Sequence, residues 1–240
     1  MFAPLLLIGG ILLAAAGATD VSALKASEPA LVCELDLKVL KGDLRRLSWS
    51  VDGRYLHVQT LDHKTVYDYI IRLPEGDISV AFGEPEWAEQ YWTMKSSLTA
   101  PGAPDLKIEV LENHQRTQPN PFAGGFNSVG GAQTGADPHN ARDTFAIEAR
   151  LLLLGQEVGY TLNEVAMAGG SYGWGPLGSG AIAYIDTAGR VTLFDRAKHK
   201  NVVATAKGAM MPAWSGDGRK LAYVLKTGRD RFRLMALTLE

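Results

Sequence analysis

Thiol chemistry has almost no material here: Cys33 is the one cysteine in 240 residues. That excludes an intramolecular disulfide and any zinc site built on several thiolates. An excess of one charge is also lacking. With 24 Lys and Arg against 26 Asp and Glu, the net charge is −2 at pH 7. A strongly basic nucleic-acid binder is therefore excluded as the first reading. The five histidines, His57, His63, His114, His139 and His199, never stand at the i, i+4 spacing of a helical metal pair. No G-x-x-x-x-G-K-[ST] phosphate loop is present. Acids such as Glu84 and Glu86 read as solvated surface groups, and nothing in their spacing marks a glycosidase pair. What is present is apolar: 46% of residues are hydrophobic and 21% charged, enough to bury a core.

The first 18 residues, MFAPLLLIGGILLAAAGA, carry no charged side chain. The run from Leu5 to Ala16 has the length of a signal-peptide apolar region, and Ala16-Gly17-Ala18 fits a small-residue cleavage site. It is short for spanning a bilayer of about 30 Å. The expectation is export to the periplasm or beyond, with an uncleaved anchor as the alternative and membrane contact through this segment only. Residues 19–32 then read as a linker and 33–240 as a single domain.

The body is repetitive. Residues 47–58 read LSWSVDGRYLHV, and residues 212–223 read PAWSGDGRKLAY. Trp49, Ser50, Asp52, Gly53, Arg54 and Leu56 match Trp214, Ser215, Asp217, Gly218, Arg219 and Leu221. Weaker copies occur at 172–184, anchored on Trp174, and at Pro85-Glu86-Trp87-Ala88. The anchors at 49, 87, 174 and 214 are spaced by 38, 87 and 40, so one unit is degenerate or replaced. A period near 40 with an aromatic anchor marks a propeller blade or a similar array. The tryptophan ends one strand. Ser-x-Asp-Gly then makes a tight turn, with Gly at the positive-φ position. Further strands follow over 66–73, 191–196 and 231–239. This pattern resembles the TolB-like β-propeller repeat, over a little under half of the chain, although Val51 and Gly216 stand where that motif prefers Pro and Leu177 stands near an Asp position. The resemblance implies a cell-envelope protein that works by binding other proteins. It brings no catalytic residue.

The fold class expected is all-β, a β-propeller-like array of four or five four-stranded blades, one degenerate. Residues 86–98 interrupt it as a short amphipathic helix, with Trp87, Tyr91, Met94 and Leu98 at helical spacing. Residues 106–115 and 145–158 then form a hairpin carrying a long Gly/Pro-rich mobile loop at 118–141. Residues 33–40 alternate apolar and polar, and are expected to pair beside the C-terminal strands and close the array.

No cofactor and no metal are expected. Gly169-Gly170-Ser171-Tyr172-Gly173 matches a nucleophile elbow, but Trp174-Gly175-Pro176 cannot open the helix that motif requires. A hydrolase or peptidase-accessory propeller using Ser171, with Asp186 or Asp195 and His199, is the enzymatic alternative. A central-channel ligand or glycan binder is the other. Charge placement favours a docking module. Residues 196–240 carry +7 and the remaining residues −9. Arg196, Lys198, Lys200, Arg229, Arg231 and Arg233 are candidates for one basic face, suited to an acidic envelope protein or an anionic envelope polymer. Trp92 and Tyr172 are not needed as repeat anchors and are the candidate exposed aromatics. The partner-binding residues expected are Trp92, Tyr172, Arg229, Arg231 and Arg233.

Overall fold

The computed structural model describes residues 25–95, 97–111, 146–164, 172–186, 188–194, 200–202 and 207–240. In chain order the elements are β1 (Ala30–Asp36), α1 (Leu37–Leu40), β2 (Asp43–Trp49), β3 (Tyr55–Asp62), β4 (Thr65–Arg72), β5 (Ile78–Ala81) and α2 (Glu86–Lys95). Then come β6 (Thr99–Ala100), β7 (Ala103–Leu111), β8 (Ala146–Leu153), β9 (Gln156–Glu164), β10 (Tyr172–Trp174), β11 (Ile182–Ile185), β12 (Val191–Phe194) and β13 (Lys200–Val202). The last strands are β14 (Ala209–Trp214), β15 (Lys220–Lys226) and β16 (Arg231–Thr238). They form four antiparallel four-stranded sheets: β2–β5 (blade 1), β6–β9 (blade 2), β10–β13 (blade 3), and β14, β15, β16 with β1 on the outside (blade 4).

The two strong repeats fold alike. The Ser50 hydroxyl donates to Asp52 Oδ1 at 2.6 Å and accepts from the Tyr55 N–H, while Asp52 Oδ1 also accepts from the Arg54 N–H. The Ser215 hydroxyl donates to Asp217 Oδ1 at 2.6 Å and accepts from the Lys220 N–H, and Asp217 Oδ1 accepts from the Arg219 N–H. Gly53 and Gly218 take φ of 67° and 72°, a conformation that costs a side chain and not a glycine. Both aspartates sit below the usual carboxylate range, first because the serine hydroxyl bonds the charged form. Trp49, Trp174 and Trp214 end the first strands of blades 1, 3 and 4 and are buried. Trp87 does not anchor a blade. It lies in α2, and blade 2 opens instead on the two-residue β6, which accounts for the doubled spacing.

Strand alternation sends successive residues to opposite faces, and this fixes the stacking order. Ala222 and Val224 of β15 join Leu47, Trp49, Leu56, Val58 and Ile71 in a core between blades 4 and 1. Leu221 and Tyr223, one residue out of phase, join Ala183, Ile185, Val191 and Leu193 between blades 4 and 3. Ile182 and Tyr184 of β11 turn the other way and meet Leu106, Ile108, Ala149 and Leu151 between blades 3 and 2. The spatial order is therefore 1–4–3–2. Four blades share three apolar cores, and among the described residues no apolar core joins blades 1 and 2.

The N-terminal pairing is present and begins before residue 33. Ala26 bridges Leu239, and β1 runs antiparallel to β16 from Ala30↔Ala236 to Asp36↔Arg231. Residues 37–40 leave the strand as the single turn α1, whose N-cap Asp36 accepts from the Lys38 N–H. This strand joins the N-terminal segment to the last blade. It does not make a closed ring, because the break falls between blades 1 and 2. The hairpin between β7 and β8 runs from Leu106↔Leu153 to Leu111↔Glu148. The strand expected over 145–158 divides into β8 and β9 at Leu154-Gly155, both with positive φ. Residues 1–18 and the 118–141 segment lie outside the described residues.

Leu35 of β1 is 1% exposed within the first core, whereas Leu31 is 52% exposed. Leu35→Ala is expected to lower unfolding free energy by about 2–5 kcal/mol in a urea titration, and Leu31→Ala by about 0.5 kcal/mol or less. Equal effects would show that β1 is not part of the core.

Candidate functional site

The second face of blade 1 departs from the pattern of the other blades. Leu56 and Val58 of β3 point at blade 4, so His57 and Gln59 point away from it. Cross-strand pairing puts Ser48 opposite His57, Arg46 opposite Gln59, and Gln59 opposite Asp68. Ser48, His57, Gln59 and Asp68 are all buried. His57 Nε2–H donates to Asp68 Oδ1 at 2.8 Å, and Gln59 Nε2–H donates to the same oxygen at 2.9 Å. Burial is the first cause of a lowered His57 pKa, outweighing the Asp68 bond that raises it. The imidazole is neutral at pH 7, so only one ring nitrogen carries a proton. Its Nδ1, Gln59 Oε1 and Ser48 Oγ have no hydrogen-bond partner among the described residues.

The helix covers this face. Trp87 of α2 meets His57 edge-on, with ring centroids 6.0 Å apart. Just ahead of α2, Glu84 takes Arg46 Nη1 with both carboxylate oxygens, at 2.9 and 3.0 Å. Its side chain is 23% exposed, so Glu84 is a partner in a half-buried ion pair and not the solvated acid its sequence context suggests. The Arg46 guanidinium lies 4.8 Å from the Trp92 ring centroid, and Lys95 Nζ lies 5.5 Å from the same centroid. Along the chain axis α2 touches β2 and β10, and β14 touches β2, β10, β11 and β12. The helix thus sits where the first strands of blades 1, 3 and 4 converge.

Ser48, His57 and Asp68 have the residue types of a nucleophile, a base and its orienting acid. Their geometry does not serve that chemistry. Ser48 Oγ makes no hydrogen bond to the imidazole, and with α2 in place Ser48 and His57 are both 0% exposed. Among the described residues no group of three or more His, Cys, Asp or Glu is arranged to hold a metal. Ser171, Asp195 and His199 lie outside the described residues. Asp186 belongs to the β11–β12 turn, where it bonds the Arg190 guanidinium and the Ala188 and Arg190 N–H groups.

The residues expected to bind a partner fall in three places. Tyr172 is not exposed: it is 3% exposed, packs edge-on against Trp174 at 5.9 Å, and its hydroxyl donates to the Ser97 carbonyl. Burial raises its pKa to about 12. The apolar core between blades 2 and 3 claims its ring. Trp92 is half-buried and engaged by two cations. Arg229, Arg231 and Arg233 are exposed on the β15–β16 turn and along β16, far along the chain from either aromatic. The His57 face was missed by sequence reasoning. Its signal was the alternation Leu56-His57-Val58-Gln59, which puts polar residues on a blade face where β11 and β15 carry apolar ones on both.

No protein-family model and no curated protein matches the chain. Solved structures do align with it. TolB from Acinetobacter baumannii shares 11% identity over 82% of this chain and 43% of its own, with a TM-score of 0.30. The Dos1 propeller shares 10% identity over 80% and 41%, with a TM-score of 0.29. A structure named for TolB from Agrobacterium tumefaciens shares 11% over 85% and 62%, with a TM-score of 0.29. In each case the chain spans less than two thirds of the other protein. The fold assignment rests on the four sheets themselves.

Glu84 is the anchor this face can be tested by. Glu84→Ala is expected to cost about 1.5–3 kcal/mol in urea unfolding, since it leaves the half-buried Arg46 without its acceptor. Glu89→Ala, on the exposed side of α2, is expected to change stability by less than about 0.5 kcal/mol. Matching losses would remove the ion pair from the account.

Proposed function

We propose that the protein is a non-enzymatic, exported interaction module of the cell envelope, a propeller-type scaffold that docks an acidic protein segment on the outside of blade 4. The observation that carries this reading is an exposed arginine row. Arg231 and Arg233 stand two residues apart on β16, and Arg229 stands in the turn before it; all three are exposed. Strand geometry separates the first two by about 7 Å, the repeat of alternate side chains on an extended partner. Register sets Arg231 opposite Asp36 and Arg233 opposite Glu34. The Arg233–Glu34 contact is 3.4 Å long and exposed, and such pairs are worth little, so the guanidinium is available to a competing carboxylate. The surplus of +7 over residues 196–240 favours an anionic partner by long-range attraction. The side chains of Arg196, Lys198 and Lys200 fall outside what the structure describes. Among the described residues no helix is long and apolar enough to cross a membrane. Export rests on the apolar run at residues 1–18.

The test is capture from the native envelope. The full chain, tagged at its C-terminus and gently cross-linked, is expected to recover a protein with an acidic segment, in a saturable and salt-sensitive manner. The triple variant Arg229→Glu, Arg231→Glu, Arg233→Glu is expected to lose at least ~tenfold of that recovery. Recovery that survives charge reversal, or recovery of an anionic polymer alone, contradicts the reading.

A further inference from the structure

Among the described residues, the middle of the array holds a buried lysine with no counter-charge beside it. Lys95 ends α2 and is 1% exposed. Its Nζ has no hydrogen-bond partner among the described residues and lies 5.5 Å from the centroid of the Trp92 ring. Its stem runs past Gly173 of β10, where an added Cβ would stand 3.6 Å from Lys95 Cε and only 2.3 Å from the Pro212 carbonyl of β14. The approach of three elements here therefore depends on a residue without a side chain.

The groups facing Lys95 do not neutralise it. From β2, Arg46 approaches the same indole, which adds a second cation, and the carboxylate of Glu84 is held by Arg46. From β10 the titratable group is Tyr172, a phenol kept protonated by burial. β14 carries no ionisable side chain. On α2 itself, Glu86 and Glu89 occupy the first turn, at the other end of the helix, and Tyr91 is a half-buried phenol raised above its ordinary pKa by desolvation. A buried ammonium without a partner is one of the costliest arrangements a protein can hold. Desolvation accordingly lowers the Lys95 pKa from 10.5 to about 7.

We propose that α2 is a releasable plug: it seats firmly between blades 1 and 3 in alkaline solution and lets go as the pH falls, uncovering the Ser48–His57–Gln59–Asp68 face of blade 1. The helix is suited to the task. It is ten residues long, too short to be stable alone, and it meets the blades through few side chains, of which Trp87 and Trp92 rest on polar groups.

The sign follows from proton binding. Released, Lys95 titrates near 10.5; seated, it titrates near 7. Between those values the released form holds the extra proton, so release gains about tenfold for each pH unit lost, and the gain levels off below about pH 7. His57 adds a second arm. Its seated pKa is lowered from 6.5, so release gains again as the pH falls below 6.5, now with Arg46 opposing the new charge and Asp68 and Glu84 favouring it.

Hydrogen exchange on the full chain tests this, with millisecond labelling from pH 5.5 to 10 and correction for intrinsic exchange. The opening constant of the 86–95 amides is expected to rise about tenfold per unit from pH 10 to pH 7, while the 220–226 amides in β15 stay better protected at every pH. Lys95→Met is expected to flatten this arm and keep the one below pH 6.5; His57→Gln is expected to remove only the lower arm. If Lys95→Met does not fold, the wild-type profile decides. The plug is contradicted if the 86–95 amides show no pH dependence between 7 and 10, if they open with the same constant as β15, or if Lys95→Met keeps the wild-type profile.

Discussion

A four-stranded sheet has two faces, and an apolar face must be covered by something. Blades 3 and 4 meet this constraint by stacking: each lies between two neighbours, and β11 and β15 are accordingly buried on both sides. Blades 1 and 2 stand at the ends of the 1–4–3–2 order and must solve it differently. Blade 2 turns Lys107 and Glu109 outward to solvent, opposite Leu106 and Ile108 on its covered face. Blade 1 uses a bonded polar layer, His57 and Gln59 on Asp68 and Arg46 on Glu84, roofed by Trp87 and Trp92. The helix between blades 1 and 2 is thus part of how the array ends.

The same constraint explains which parts of the fold could be read from the sequence. The Ser-x-Asp-Gly turns were legible because their hydrogen bonds close within five residues, as Ser50 to Tyr55 and Ser215 to Lys220 show. The helix at Trp87 and the pairing of the N-terminal strand with β16 were legible from periodicity of 3.6 and of 2. The polar face was not. His57 contacts Asp68 across a ladder and Trp87 across an interface, and neither neighbour is set by local spacing. Tyr172 was read as available for a partner because no repeat claimed it, but the core between blades 2 and 3 does, through Trp174 and the Ser97 carbonyl. Exposure depends on which blade lies alongside, and stacking order is a property of the whole chain.

Among the described residues, buried polar groups without partners gather around α2: Ser48 Oγ, His57 Nδ1, Gln59 Oε1 and Lys95 Nζ. Each is unfavourable on its own, and together they weaken the seat of the helix. Locally weak elements are those that open before the whole fold does, and departures from consistent packing tend to fall where a protein does its work. The strands that carry the arginine row and the polar face, β16 and β3, turn their alternate residues Phe232, Leu234, Leu56 and Val58 into one apolar core between blades 4 and 1.

The central claim is that blade 1 ends in a cooperative polar layer. A double-mutant cycle on His57 and Asp68, read by urea unfolding at pH 8 with His57→Leu, Asp68→Leu and the pair, tests it most directly. The account predicts a coupling energy of about 1.5–3 kcal/mol, the double variant being far less damaged than the two singles summed. Additivity within about 0.5 kcal/mol would show that the two residues do not act together, and that blade 1 ends in some other way.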